Sequence, residues 1–185
     1  MHYADIKYFD IANGPGIRTT LFVSGCNHRC PGCFNEVAWS FDYGEEFTPD
    51  VEDKLIEALS DPACQGLTLL GGEPMDPKNQ PAVLSFVRKF KEKLPNKDIW
   101  CFTGYLFDKD ILDNMMKNVP ETKELLGYID VLVDGPFIMA KKDVTLLYKG
   151  SSNQRTIDVK KSLATGTIEQ WNPGDNTIVS KTAHL

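Results

Sequence analysis

Three cysteines in a C-x₃-C-x₂-C spacing, Cys26, Cys30 and Cys33, restrict what this chain can become more than any other stretch. They follow Thr20-Leu21-Phe22-Val23, an apolar run closed by Ser24-Gly25, which reads as a buried strand. The cysteines therefore lie on a loop leaving a strand end, positioned by a rigid sheet and still open to solvent. Thiolates are soft ligands that suit zinc or an iron–sulfur cluster better than any hard cation. A structural zinc site takes four ligands, usually as two separated pairs, and a [4Fe–4S] cube also normally takes four cysteines. Here the fourth is missing nearby, because Cys64 and Cys101 are isolated within other predicted elements. Three thiolates on a cube leave one iron open to a further ligand. On spacing alone, chance clustering or a zinc loop completed by His28 stays open beside that reading.

The chain has 185 residues, enough for one domain with a sizeable core. Its net charge of -6 gives no electrostatic case for nucleic-acid or anionic-membrane binding. No apolar run approaches the ~18 residues of a membrane span, and Met1-His2-Tyr3-Ala4-Asp5 does not read as a signal peptide. Five cysteines, an odd number with three crowded together, argue against a secreted disulfide framework and for a reduced, cytoplasmic compartment.

Residues 6–11 form a short, mostly apolar segment ahead of Asn13-Gly14-Pro15-Gly16, a turn cluster. Strands are expected over 18–23, 66–70, 98–103 and 128–134, where short apolar runs end in glycine. Between them, Val51, Leu55, Ile56 and Leu59 follow the helix start Thr48-Pro49. Val83, Val87, Phe90 and Leu94 repeat at helical spacing after Asp76-Pro77, as do Phe107, Ile111, Leu112, Met115 and Met116. Trp39, Phe41, Tyr43 and Phe47 punctuate a polar connection, as core contacts or as a lid. Alternating strands and helices imply parallel βαβ units. Four or five such repeats are too few for a closed eight-stranded barrel. Residues 162–185 are polar and read as a loosely attached tail after a domain at 1–161.

In parallel α/β folds a ligand sits at the carboxyl ends of the strands. Each unusual loop here follows a predicted strand: the cysteine loop, Gly71-Gly72-Glu73-Pro74, Thr103-Gly104-Tyr105, and Asp134 before Gly135. Topology alone therefore brings them to one mouth. Gly71-Gly72 lets a backbone approach a ligand closely, and Glu73 can accept hydrogen bonds from an amino group. Asp134 can bind a ribose, a cation or a substrate backbone, or simply cap the strand end. Cys64 and Cys101 read as small buried apolar residues.

C-x₃-C-x₂-C after a strand resembles the signature of the radical S-adenosylmethionine (SAM) enzymes. Residues 13–26, Asn-Gly-Pro-Gly-Ile-Arg-Thr-Thr-Leu-Phe-Val-Ser-Gly-Cys, are similar to the opening of the anaerobic ribonucleoside-triphosphate reductase activating proteins. So are Gly71-Gly72-Glu73-Pro74, the stretches 100–105 and 131–135, and Gly150-Ser151-Ser152-Asn153-Gln154-Arg155. These blocks fall in the family's order over roughly residues 5–165. The resemblance implies an open partial (β/α)₆ barrel in a single domain. It implies a [4Fe–4S] cluster on Cys26, Cys30 and Cys33 whose fourth iron chelates SAM. One electron then cleaves the sulfonium to methionine and a 5′-deoxyadenosyl radical, which needs a low-potential cluster; such clusters reach about −700 mV at the extreme. SAM contacts are expected from Gly32, Phe34, Gly71, Gly72, Glu73, Pro74, Thr103 and Asp134. Asn153, Gln154 and Arg155 are candidates for contact with SAM or with a partner.

Many radical SAM proteins have an aromatic residue immediately before the third cysteine; this chain has Gly32 there and Phe34 one place after it. Pro-Gly-Cys-aromatic-Asn resembles the reductase activases, so the shift reads as a trait of that subfamily. The implied partners are the glycine loop of the anaerobic reductase, which would be left with a stored glycyl radical, and a flavodoxin-type electron donor. An activase of pyruvate formate-lyase is the neighbouring reading, and a non-enzymatic zinc or iron–sulfur binding module is the reading from another class.

Overall fold

A computed structural model describes residues 1–174. Seven strands form one mixed sheet in the order β3-β1-β2-β4-β5-β6-β7. β2 (Ile17–Val23), β4 (Cys64–Gly71), β5 (Asp98–Phe102) and β6 (Val131–Asp134) run parallel. β1 (His2–Asp10) is antiparallel to β2 and to the two-residue β3 (Glu45–Glu46), and β7 (Arg155–Asp158) is antiparallel to β6. The sheet thus keeps two edges and does not close. The four or five expected repeats reduce to three crossovers. They pass through α1 (Pro49–Leu59), α2 (Gln80–Lys93), and a π-helical stretch Phe107–Met115 that continues into α3 (Met116–Asn118) and α4 (Thr122–Tyr128).

The fourth expected strand is shorter than its apolar run suggests. Tyr128 ends α4, whose Leu125 and Leu126 are buried, and the Asp130 carboxylate accepts the Ile99 N–H at 2.8 Å as the chain turns into β6. β7 was not anticipated, because Arg155-Thr156-Ile157-Asp158 carries too little apolar alternation to stand out.

Side-chain alternation gives the sheet two different faces. Leu21, Val23, Leu67, Leu69, Ile99 and Leu132 pack with Leu55, Phe86 and Phe90 of the helices in the main core. The opposite face holds Arg18, Thr68 and Trp100. Arg18 is fully buried; its guanidinium donates to Thr68 Oγ1 (2.7 Å), Leu67 O (2.8 Å) and the Asp98 carboxylate (2.5 Å). Buried charge is tolerable only with such partners. Trp100 lies edge-on to Trp171 and Tyr148, at 4.8 and 5.2 Å between ring centroids.

Trp171 belongs to the stretch read as a loose tail. Its backbone N–H donates to Thr156 O at 2.9 Å, so this part of the chain lies against the sheet. The boundary expected at 161/162 falls inside α5 (Val159–Thr165), which is capped by the Asp158 side chain and ends at left-handed Gly166. Residues 175–185 of the expected tail lie outside the described residues. Among the described residues no helix is long and apolar enough to cross a membrane.

Candidate active site

Because β2, β4, β5 and β6 are parallel, their following loops leave from the same edge. Backbone hydrogen bonds then tie the loops in series. Gly72 N–H donates to Val23 O (2.7 Å), Glu73 N–H to Gly25 O (2.8 Å), and Gly135 N–H to Tyr105 O (3.1 Å). The Gly104 N–H donates to the Glu73 carboxylate at 2.7 Å. Together the loops border a cavity of about 540 Å³.

Cys26, Cys30 and Cys33 all line this cavity as free thiols, Cys26 buried and the other two half-buried. Burial pushes the metal-free Cys26 thiol up to about 11, against the N–H groups of His28 and Arg29, which favour the thiolate. Burial also raises Cys30, opposed by the Phe137 N–H, and the Asn35 N–H donates to the Cys33 sulfur at 3.4 Å. N–H donors around sulfur suit anionic ligands of a metal centre. Among the described residues, no group of three or more His, Cys, Asp or Glu side chains converges as the ligands of a single metal ion must. Three unpaired thiols spread around a roomy cavity fit a polynuclear cluster with space beside it.

Of the residues expected at SAM, Gly32, Phe34, Gly71, Gly72, Glu73 and Thr103 border the cavity. Phe34 presents its ring with 80% exposure. Two of the expected set do not border it. Pro74 is buried behind the turn. Asp134 is fully buried, accepts the Phe107 N–H at 2.8 Å and is paired with Arg155, whose guanidinium also reaches Asp108 at 2.8 Å. That carboxylate is already partnered within the protein, the arrangement that the capping alternative describes. Asp134→Ala is expected to cost about 2 kcal/mol, through the abandoned Arg155 and Phe107 N–H, while SAM affinity stays within about twofold. Thermal unfolding and isothermal titration together check both halves.

Glu73 is only 1% exposed yet borders the cavity. Its carboxylate accepts the Met75 N–H at 2.9 Å as well as that of Gly104. His28 Nε2 lies 3.1 Å from Glu73 Oε2, close enough to pair charge, although the N–H is not aligned as a hydrogen bond. Glu73 holds His28 above the usual imidazole range, against the effect of burial. His28 also lies edge-on to Tyr105 at 4.4 Å, so one side chain from the cysteine loop touches the other two loops.

The aromatic connection after the cysteines divides its roles. Trp39 borders the cavity, Phe41 covers Gly25, and Phe47 sits in the core between Tyr3 and Phe86. One bracing residue was missed from sequence. The buried Asn79 side chain donates to Ser24 O (3.0 Å), Gly25 O (3.3 Å) and Glu73 O (3.0 Å), joining the cysteine loop to the glycine turn. The helix expected after Asp76-Pro77 begins in the structure only at Gln80, just past Asn79, and nothing in the sequence singled Asn79 out.

A family model described as a 4Fe-4S single cluster domain matches residues 12–157, from the turn before β2 into β7. An anaerobic ribonucleoside-triphosphate reductase-activating protein of Vibrio cholerae is 46% identical over 156 residues, 83% of this chain and 96% of the relative. The protein of that name from Escherichia coli K12 is 43% identical with the same coverage. That of Enterobacteria phage T4 is 40% identical over 158 residues, 84% of this chain and 92% of the relative. Matching such relatives over nearly their whole length, the chain belongs to the family of anaerobic ribonucleoside-triphosphate reductase-activating proteins.

Proposed function

We propose that the cavity at the ends of the four parallel strands is the catalytic site of a radical SAM activase. Its substrate is the glycine loop of an anaerobic ribonucleoside-triphosphate reductase. The observation that carries this reading is the meeting of three free thiols, a Gly-Gly turn and a buried glutamate around one cavity, in a chain of this family. With a [4Fe–4S] cluster and SAM bound, the chemistry supplied is one-electron cleavage of the sulfonium and removal of a hydrogen atom from the partner's glycine.

The chain's own residues hold and shield those groups. Cys26, Cys30 and Cys33 take three irons. Gly71 and Gly72 offer backbone to the methionine end of SAM, where Glu73 accepts from the amino group. Phe34 covers the adenine, and Gly32 and Thr103 complete the wall. The sheet is the short form of the radical SAM partial barrel, left open so that a partner's loop can enter, and a flavodoxin-type protein supplies the electron. The names of the relatives favour the reductase over pyruvate formate-lyase as partner, and the family favours an enzyme over a zinc-binding module.

The test is anaerobic reconstitution with iron and sulfide, then SAM and dithionite, with 5′-deoxyadenosine assayed with and without the reductase. Cleavage with a glycyl radical on the reductase, seen by electron paramagnetic resonance, is the expected result. Cleavage without that radical overturns the partner, and no cleavage from a loaded cluster overturns the chemistry.

A further inference from the structure

Gly150-Ser-Ser-Asn-Gln-Arg155 was a candidate contact for SAM or a partner, but its hydrogen bonds run elsewhere. The Gln154 side chain donates from Nε2 to Gly135 O at 3.0 Å. Its Oε1 accepts the N–H groups of Gly150 at 2.9 Å and Ser151 at 3.1 Å. Both ends of the amide are therefore engaged, each with the polarity that an amide requires. Asn153 Nδ2 donates to Pro136 O at 2.8 Å, and the Ile138 N–H donates to Ser151 Oγ at 3.2 Å. The block closes the two ends of a strap, residues 136–149, that borders the cavity.

The strap presses on the cysteine loop. A Cβ placed on Gly32, which has φ +74°, would fall 2.0 Å from Met139 Cε and 3.8 Å from the Phe137 ring. A Cβ on Gly150 would fall 3.1 Å from the other side of that ring. Phe137 is thus held between the two glycines.

We propose that Gln154 is a positioning residue of the metal site: by tying Gly135 to Gly150 and Ser151 it holds Phe137 and Met139 against Gly32 of the cysteine loop. This inference rests on the cluster reading of the three cysteines. Outer partners of this kind keep metal ligands oriented, and the shell they form around a metal centre tunes its potential.

Gln154→Ala removes both halves of the clip, and Gln154→Glu keeps the acceptor for Gly150 and Ser151 while setting a carboxylate oxygen against Gly135 O. In the reconstituted protein, both variants are expected to release iron to a chelator faster, on the order of tenfold, and to show a cluster potential shifted from that of the unaltered chain. In the apoprotein, hydrogen–deuterium exchange at 137–139 is expected to rise. Unaltered iron release and potential with weakened SAM binding would overturn the proposal and make Gln154 a ligand contact. Should either variant fail to load iron, the apoprotein exchange decides: a rise at 137–139 supports the clip, and unaltered exchange rejects it. An unaltered chain that takes up no cluster at all would instead remove the functional reading, a result distinct from any of these.

Discussion

A Cys33→Ala protein is expected to lose SAM cleavage to background, and Cys26→Ala and Cys30→Ala to do the same. With three thiols on one cavity and no fourth thiol among its lining residues, each removal leaves a four-iron cluster with two protein ligands. The controls are internal to the chain. Cys64 and Cys101 are buried in the main core and neither lines the cavity; burial also raises the Cys101 thiol well above its ordinary value, which disfavours the metal-binding thiolate there. Cys64→Ala and Cys101→Ala are expected to lose about 1 kcal/mol of stability and to keep normal iron content and cleavage. Iron analysis with a 5′-deoxyadenosine assay separates the two groups of variants. Iron lost from a core variant would show that the cluster is held differently.

Gly72→Ala should be nearly as damaging, for a reason of space rather than ligation. A Cβ there would stand 2.6 Å from Gly25 O and 2.9 Å from Ala38 O. Both are backbone atoms, which cannot swing aside as a long side chain can. The Gly72 N–H also donates to Val23 O, and the next N–H to Gly25 O, so any displacement is passed to the cysteine loop. Overpacking of this kind costs about 1–3 kcal/mol in stability. A displacement of about 1 Å at a reacting centre can cost on the order of 10²-fold in rate. The expected outcome is a folded, iron-loaded protein whose SAM cleavage falls by that factor. Full cleavage by Gly72→Ala would show that the turn can retreat from the cysteine loop without consequence.

The local features legible in the sequence were those with strong one-dimensional signals. Cys26, Cys30, Cys33, Gly72 and Glu73 announced themselves by residue type and spacing, and strand-end topology was enough to bring their loops together. Asp134 shows the limit of that rule. It does stand at a strand end beside glycine, but whether a carboxylate faces a cavity or a buried arginine depends on Arg155, which reaches it from a strand that the sequence pattern concealed. The backbone contacts of Asn79, and of Gln154, which the sequence marks only as a candidate contact for SAM or a partner, were hidden for a related reason. A side-chain amide that braces two loops makes its contacts with backbone atoms far away in sequence, and backbone atoms leave no trace in residue types. In the described part of the expected tail, one aromatic residue amid polar neighbours, Trp171, settles against Trp100, a contact that composition does not register.

The contacts of Glu73 also connect two equilibria. Its N–H is bonded to Gly25 O in the cysteine loop and its carboxylate stands beside His28 of the same loop, so under the proposed function assembling the metal centre and admitting SAM would act on one shared piece of backbone. Thermodynamic reciprocity then applies: by whatever factor a filled centre tightens the hold on SAM, SAM tightens the hold on the centre. An activase saturated with SAM would, on this account, keep its iron longest at the moment when it is ready to act.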